Sequence, residues 1–343
     1  MIQEYPAKLM NQAKYGPEVG LRPNTLLHRW VINFIFNDGG LGDFVNYSAA
    51  TLWIAKNCPW VDGRIYTPRY LTPLMKDIHK DFPTWKAMES ENAFNTLEHK
   101  TCIVGTNLTF NGQNKLKQLL TCIGAHPIDV AYAYYAGSTP PPKDCLLPVL
   151  DYPKNDLLID QPYVVFPVGN TVDARKTTGV HLNPIIKYVR AQGFLPVFLG
   201  KKDLLMDGKQ STRFPEDIDY HYGMDLRDQT TIMEAAAIMQ HAKFTIGLDC
   251  GLLHLAALMK DSKIIFGYNI TSVEHREPRR NHGRHINISL TESELQCIGC
   301  QSKLKQIAKH KFSECLYGDS KCIDILFENG SERWIKAIDE ILK

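Results

Sequence analysis

The segment after the first apolar run combines glycines with acidic residues at a predicted strand-to-helix turn. The run NDGGLGDF follows the strand-like stretch Val31–Phe36. Gly40 and Gly42 allow the backbone to turn tightly and to approach a bound ligand closely. Asp43 has two interpretations: an acid in the first helical turn that complements the helix dipole, or a general base at the carboxyl end of the first strand. Asp38 competes for the role of base, but the turn favours Asp43.

A second loop carries hydroxyl and basic residues after another strand-like run, Tyr163–Val168. It reads GNTVDARKTT and includes Thr171 and Lys176. Small residues, hydroxyls and a compact lysine charge suit an anionic group. We expect this loop to bind the anionic part of a donor, and a solvated surface loop is the alternative.

A third loop follows the run Phe244–Leu248 and leads into a predicted helix. Gly251 permits a sharp entry, and free backbone N–H groups at Gly251, Leu252 and Leu253 would form an anion site suited to phosphate. Asp249 at the strand end can accept hydrogen bonds from sugar or ribose hydroxyls. His254 in the first turn is either a donor-binding residue or a histidine that only caps or packs.

Four of the nine cysteines lie close together near the end of the chain, at Cys297, Cys300, Cys315 and Cys322. The C-x-x-C pair can bring two thiolates onto one metal ion, and the second pair can complete a tetrahedral zinc site. A structural zinc ion is the favoured prediction. Disulfide bonds and free thiols are the alternatives.

A basic stretch at residues 275–285 reads HREPRRNHGRH. It is interpreted either as an irregular surface loop or as a flap over the donor base or the acceptor phosphates. Aromatic residues are scarce in it, so it is a poor platform for stacking single-stranded nucleic acid.

Short apolar runs alternate with amphipathic stretches on both sides of a proline-rich segment at residues 137–162. This alternation predicts an α/β fold of two halves, each with a parallel sheet, that are joined by a linker and create a cleft between them. Ligands of such sheets collect beyond the carboxyl ends of the strands, where the three loops lie. The predicted divisions are an irregular arm at 1–28, an N-terminal domain at 29–155, a C-terminal domain at 156–330 with a cysteine module at 297–322, and a C-terminal helix at 331–343.

Composition narrows the class of protein. The chain has 343 residues, of which 44% are hydrophobic and 22% charged, and its net charge is +2. These values exclude a mostly disordered or fibrous protein and disfavour nucleic-acid binding by bulk charge. No apolar run approaches the roughly 20 residues of a membrane-spanning helix, and the N-terminal stretch lacks an apolar signal core. The expected location is the cytoplasm, including the inner face of the membrane.

Taken in order, these motifs resemble those of glycosyltransferase family 9, the ADP-heptose:lipopolysaccharide heptosyltransferases. The motifs are GGLGDF near the start, the GN and RK pairs in mid-chain, and IGLDCGLLHLAA late in the chain. The stretch Tyr268–Arg276 also looks like the family's post-strand loop. The pattern departs from the family at Cys250, where Ser or Thr is usual, and after Lys176, where Trp-Pro is common.

The resemblance implies a GT-B fold of two Rossmann-like domains, in which the C-terminal domain binds the donor nucleotide and the N-terminal domain serves the acceptor. It matches Asp43 to the catalytic aspartate and Lys176 to the lysine that contacts the donor diphosphate. The donor-binding segment D-x-G-x-x-H matches Asp249, Gly251, Leu252 and His254. Transfer would be inverting, would require no metal cofactor, and would favour an ADP-sugar as donor.

We therefore expect a glycosyltransferase that moves a hexosyl or heptosyl group from a nucleotide-diphosphate sugar to a hydroxyl of a saccharide or another acceptor, with Asp43 as general base. One alternative is the same chemistry on a hydroxylated nucleic-acid base, although nucleic acid is the less favoured partner. Another is a nucleotide-binding module without catalysis. A dehydrogenase is remote, because the chain has no G-x-G-x-x-G fingerprint.

Overall fold

In the computed structural model the chain divides into two compact units, and the division falls between Pro148 and Val149. The structure describes residues 30–35, 40–59, 61–89, 102–105, 143–154, 159–169, 172–201, 214–300, 315 and 318–343. The predicted arm at 1–28, Asp38 and Thr171 lie outside the described residues.

The first unit is built on a four-stranded parallel sheet in the order β3-β2-β1-β4. Its helices are α1, which leads from β1 towards β2, and α2, which follows a short 3-10 turn. A crossover of this kind is required between parallel strands of one sheet. The elements are β1 (Trp30–Ile35), α1 (Leu41–Asn57), β2 (Val61–Thr67), the turn at Arg69–Leu71, α2 (Thr72–Ile78), β3 (Lys86–Glu89) and β4 (Cys102–Gly105).

Trp85 packs into the core of the first unit beside β2. Its ring stacks on Phe34 of β1 and on His79, with centroid distances of 5.3 Å in both pairs. Gly63 leaves space for this ring, because a Cβ atom at that position would lie 2.1 Å from Trp85 Cε3. The close approach of the indole explains why a glycine stands inside a strand.

The second unit contains a six-stranded sheet in the order β10-β9-β8-β5-β6-β7, and all its pairs are parallel. Counted from β5, this is the strand order 3-2-1-4-5-6 of a doubly wound Rossmann sheet. The strands are β5 (Tyr163–Pro167), β6 (Leu195–Leu199), β7 (Met224–Asp225), β8 (Thr245–Leu248), β9 (Lys263–Tyr268) and β10 (Arg284–Ser289). The helices are α3 (Gly179–Ala191), α4 (Ile232–His241), α5 (Gly251–Ala256), α6 (Val273–Arg276), α7 (Lys321–Leu326) and α8 (Glu328–Leu342).

The C-terminal helix α8 is part of the second unit, since it packs against α3, β9 and β10. Trp334 anchors it: the side chain is fully buried, stacks on Phe327 and donates from Nε1 to the Leu326 carbonyl at 3.1 Å. Gly267 of β9 makes room for this indole, because a Cβ there would lie 2.4 Å from Trp334 Cη2.

The predicted pair of parallel α/β halves is confirmed. The central strands β5, β6, β8 and β9 are buried almost throughout, as expected for strands that are covered by helices on both faces. Among the described residues, no helix is both long and apolar enough to cross a membrane.

Candidate functional site

The strand order of the second unit reverses between β5 and β8, its two central strands. In a doubly wound sheet, ligands bind beyond the carboxyl ends of the strands at this point. The loop after β5 contains Arg175 and Lys176, and the turn after β8 contains Asp249. Two of the three predicted loops therefore meet where the topology favours a ligand. We call residues 172–178 the donor loop.

Asp249 ties three loops together at this edge of the sheet. His254 Nε2 lies 2.9 Å from Oδ1, and Thr271 Oγ1 donates to Oδ2 at 3.0 Å. Arg175 Nη2 lies 3.2 Å from Oδ2, and Arg175 Nη1 donates to the Asp249 backbone carbonyl at 3.3 Å. The loops that follow β5, β8 and β9 are thus joined at a single carboxylate.

Asp249 is almost completely buried, yet its neighbours stabilise its charge. Burial acts to raise the pKa of this carboxyl group, but the charge of Arg175 and the hydrogen bond from His254 hold the pKa well below its usual range. The Arg175 side chain is only 10% exposed. Because both charges are poorly solvated, loss of either partner would leave the other without compensation.

His254 is as deeply buried as Asp249. Its Nε2 carries the proton, since the ionised carboxylate oxygen opposite it can only accept. The imidazole ring meets Phe266 edge-on, with the centroids 5.1 Å apart. This geometry agrees with the packing interpretation of His254. Asp249 holds the three loops in place through these contacts. Its predicted contact with sugar hydroxyls remains a prediction.

Helix α5 begins directly after this turn, at Gly251, but it has only six residues. Gly251 and Leu252 are partly exposed, whereas Leu253 is buried. Burial raises the pKa of the Cys250 thiol to about 11, and the adjacent N–H groups of Leu253 and Leu252 act in the opposite direction. These two N–H groups therefore lie close to the Cys250 sulfur.

Arg175 and Lys176 are neighbours in the donor loop with different surroundings. A short 3-10 helix, Asp173–Arg175, precedes Lys176, and the Arg175 N–H donates to the Val172 carbonyl at 2.9 Å. Arg175 turns inward to Asp249, while Lys176 is partly exposed. The sequence indicated a basic pair but gave no sign that Arg175 would be used inside the protein.

In the first unit, Asp43 lies in the first turn of α1, as predicted. Its Oδ2 accepts a hydrogen bond from the Gly40 N–H at 3.3 Å, so the carboxylate caps the helix. The side chain is partly exposed, and Gly40 beside it is exposed with no heavy atom within 4 Å of a Cβ position. Gly42 is buried, and its carbonyl accepts from Asn46 Nδ2 at 2.8 Å. The helix-capping interpretation of Asp43 is therefore observed, and its role as a base remains a prediction.

The cysteine cluster, Cys297, Cys300, Cys315 and Cys322, consists of four side chains that lie near one another, and none of the four is in a disulfide bond. Burial raises the pKa of Cys322 to about 12, and the other three cysteines act in the same direction. The predicted alternative of disulfide bonds is not observed. In the part of the chain that the structure describes, no group of three His, Cys, Asp or Glu side chains is arranged to hold a metal ion.

The basic stretch at 275–285 is bound to the second unit by several side chains. Arg280 donates to Ser262 Oγ and to the Arg284 carbonyl, each at 2.6 Å. His282 Nε2 lies 2.9 Å from the Ala257 carbonyl oxygen, and His285 Nε2 lies 3.0 Å from a carboxylate oxygen of Glu277. Arg280, His282 and His285 are therefore engaged in hydrogen bonds within the second unit, and the interpretation of the stretch as a flap remains a prediction.

A match to a known family covers this same region. Residues 153–308 match the profile of glycosyltransferase family 9 (heptosyltransferase). The matched range includes β5 to β10 and therefore the loops after β5, β8 and β9. A search of the curated proteins finds no significant match to the sequence.

Solved structures with a similar fold cover both units. TibC from enterotoxigenic E. coli H10407, described as an iron-containing dodecameric glycosyltransferase, has a TM-score of 0.64 and 15% identity, over 91% of this chain and 78% of TibC. TibC in complex with ADP-D-beta-D-heptose has a TM-score of 0.64 and 14% identity, over 92% of this chain and 78% of the TibC chain. A family 9 glycosyl transferase from Veillonella parvula DSM 2008 has a TM-score of 0.54 and 13% identity, over 93% of this chain and 98% of the Veillonella chain.

At these identities the structural likeness establishes the fold, which is the predicted GT-B type with two Rossmann-like units. The family match coincides with the loops that meet around Asp249. Residues 153–308, in the second unit, are thus similar to glycosyltransferase family 9 (heptosyltransferase).

Proposed function

We propose that this chain transfers a heptosyl-type sugar from a nucleoside-diphosphate donor to an acceptor hydroxyl. The observation that carries the proposal is that the family 9 domain includes the switch point where Arg175, Lys176 and the start of α5 gather. Basic side chains at this position suit a diphosphate. TibC, which shares the fold, has been solved with ADP-D-beta-D-heptose, and this supports an ADP-sugar as the donor.

The departing nucleoside diphosphate gains negative charge in the transition state. We expect Lys176 and the N–H groups of Gly251 and Leu252 to stabilise that charge where it develops. Thr171 of the loop after β5 is the proposed hydroxyl contact. Asp249 and His254 act indirectly, because they are buried and hold Arg175 and the start of α5 in position.

Asp43 is the proposed general base. It takes the proton from the acceptor hydroxyl while that oxygen bonds to the anomeric carbon and the bond from this carbon to the diphosphate breaks. One displacement inverts the configuration, and its steps require no metal ion. Gly40 and Gly42 keep the backbone beside Asp43 small enough for close approach of the substrates. A saccharide is the proposed acceptor, and a hydroxylated nucleic-acid base is the alternative.

Thermal unfolding with a panel of ADP-, UDP- and GDP-sugars tests the proposal. An ADP-sugar at 100 times its Kd is expected to stabilise the protein by about 2.7 kcal/mol. Lys176→Ala should reduce this gain, whereas Lys201→Ala, which changes an exposed lysine after β6, should preserve it. Absence of any shift across the panel contradicts the proposal. A shift without transfer to any acceptor favours a binding module without catalysis.

We also propose that Cys297, Cys300, Cys315 and Cys322 bind one structural metal ion. Ionised thiols so close together repel one another, and a cation would remove that repulsion. The Ser320 N–H donates to Cys315 Sγ at 3.3 Å, a contact that suits a metal-bound thiolate. Four sulfur ligands suit zinc or iron, and TibC is described as iron-containing. Such an ion would stabilise this part of the second unit.

Elemental analysis of the purified protein under reducing conditions tests the metal proposal. We expect about one zinc or iron ion per chain, since four thiolates complete one tetrahedral site. Cys300→Ser should lose the ion, whereas Cys145→Ser, a change of a buried cysteine in the first unit, should retain it. Protein that carries neither metal contradicts the proposal.

A further inference from the structure

Asn269 connects the cysteine cluster with the donor loop. It lies just after β9 and is fully buried. Its Nδ2 donates to the Ala174 carbonyl at 2.6 Å and to Cys322 Sγ at 3.6 Å. Its backbone carbonyl accepts from the Gly299 N–H, inside the C-x-x-C turn, at 2.9 Å. One residue thus contacts both ends of the cluster's sequence and the donor loop.

The orientation of this amide follows from the chemistry of its neighbours. A backbone carbonyl can only accept hydrogen bonds, so the NH₂ group of Asn269 must face Ala174. Ala174 is fully buried and directly precedes Arg175 and Lys176. Loss of the Asn269 amide would leave the Ala174 carbonyl without this partner in a place that water does not reach.

The C-x-x-C turn packs against the loop after β9, which also carries Asn269. Gly299 has φ of +66°, and a Cβ atom there would lie 3.4 Å from Ser272 Cβ. Cys300 and Cys322 are buried within the core cluster that also contains Ala174. A displacement of Cys322 therefore acts on Asn269, whose other bond is to the donor loop.

We propose that Asn269 is a positioning residue that fixes the donor loop to the cysteine cluster, so that the chemical state of the cluster sets the affinity for the donor nucleotide. The second half of this inference rests on the proposed function. By linkage, a nucleotide that orders the donor loop must also protect the cluster thiols, because coupling between two binding sites is reciprocal.

Hydrogen exchange of the full chain tests the attachment without any nucleotide. Asn269→Asp keeps the side-chain shape but replaces the donating NH₂ with an acceptor, and it should speed exchange in residues 172–178. Alkylation of the cluster with N-ethylmaleimide should speed the same exchange in the unchanged protein and add little in the variant. Asn183→Asp is the matched control, since it removes an amide-to-carbonyl bond to Asp217 in the same unit, remote in sequence from the cluster. Unchanged exchange at 172–178 in Asn269→Asp overturns the proposal.

Calorimetry with ADP then tests the consequence for the donor site. Asn269→Asp should raise the Kd for ADP at least about fivefold, the lower end of ordinary coupling between sites, and Asn183→Asp should not. ADP should slow alkylation of the cluster in the unchanged protein and have no such effect in Asn269→Asp. If the unchanged protein binds no ADP while the exchange results hold, the proposed donor is wrong and the attachment stands. If ADP binds equally well to both forms, the coupling is refuted.

Should Asn269→Asp fail to fold, Cys322→Ala provides the second variant. It removes the thiol that accepts from Asn269 and leaves the bond to Ala174 in place. If Asn269 links the cluster to the donor loop through Cys322, alkylation of the remaining cysteines in Cys322→Ala should no longer change hydrogen exchange at residues 172–178. An alkylation effect of undiminished size in Cys322→Ala overturns the proposal.

Discussion

Replacing Asp43 with Asn is expected to slow sugar transfer by about 10²–10⁴-fold and to leave donor affinity nearly unchanged. An amide cannot take the proton of the acceptor hydroxyl, so the attacking oxygen loses its base. The fold should survive, because the Asn oxygen can still accept from the Gly40 N–H that Asp43 now caps. Steady-state kinetics give the loss in kcat, and calorimetry with the donor gives the affinity.

Two further substitutions separate the chemical role of Asp43 from its role as a cap. Asp43→Ala removes both, so it should lose transfer and also some stability of α1. Asp77→Asn changes another acid of the first unit, on the exposed side of α2, and should keep the full rate. If Asp43→Asn turns over as fast as the unchanged protein, Asp43 is not the base.

The sequence predicts the central strands better than the edges of the sheets. The runs that became β1, β5, β6 and β8 are short, apolar and bounded by turn residues, which is the pattern of a parallel strand covered on both faces. Edge strands β3, β7 and β10 were not predicted. β7 has only two residues, and β10 reads RHINIS, where polar residues face partly solvated surroundings. Its first two residues were therefore included in a predicted basic loop.

The sequence also indicates which loops form the site but not how they are held together. Strand-end position and glycine content indicated the loops at Lys176 and Asp249, and the structure brings these two loops together. The contacts between them join residues far apart in the chain: 74 positions separate Arg175 from Asp249, and 95 separate Ala174 from Asn269. Periodicity and short motifs reflect neighbours within a few turns, so pairs of this kind become visible only in the folded chain.

Asp249→Asn is expected to lower the free energy of unfolding of the second unit by about 3–5 kcal/mol, the usual cost of breaking a buried ion pair. The substitution leaves the buried Arg175 guanidinium uncompensated. It also sets an NH₂ group against a hydrogen-bond donor, because His254, Thr271 and Arg175 all face the carboxylate as donors. Urea unfolding measures the loss. Donor binding should fall with it, since the three loops at the switch point share this carboxylate.

The pair of Asp225 and Arg227 provides the matched control for Asp249→Asn. The two hydrogen bonds between these side chains, at 2.7 and 2.6 Å, are shorter than those around Asp249. The Asp225 and Arg227 side chains are 38% and 18% exposed, so Asp225→Asn should lower the free energy of unfolding by no more than about 1 kcal/mol.

The pH dependence of stability shows whether the charge of Asp249 causes the larger loss. The pKa of Asp249 is depressed in the folded state, so its contribution is complete well above the unfolded-state pKa of about 3.9 and declines as the pH falls below it. The stability gap between the unchanged protein and Asp249→Asn should therefore narrow below about pH 4. A gap that stays constant down to the acid limit of folding would mean that shape, and not the charge of the carboxylate, holds the three loops together.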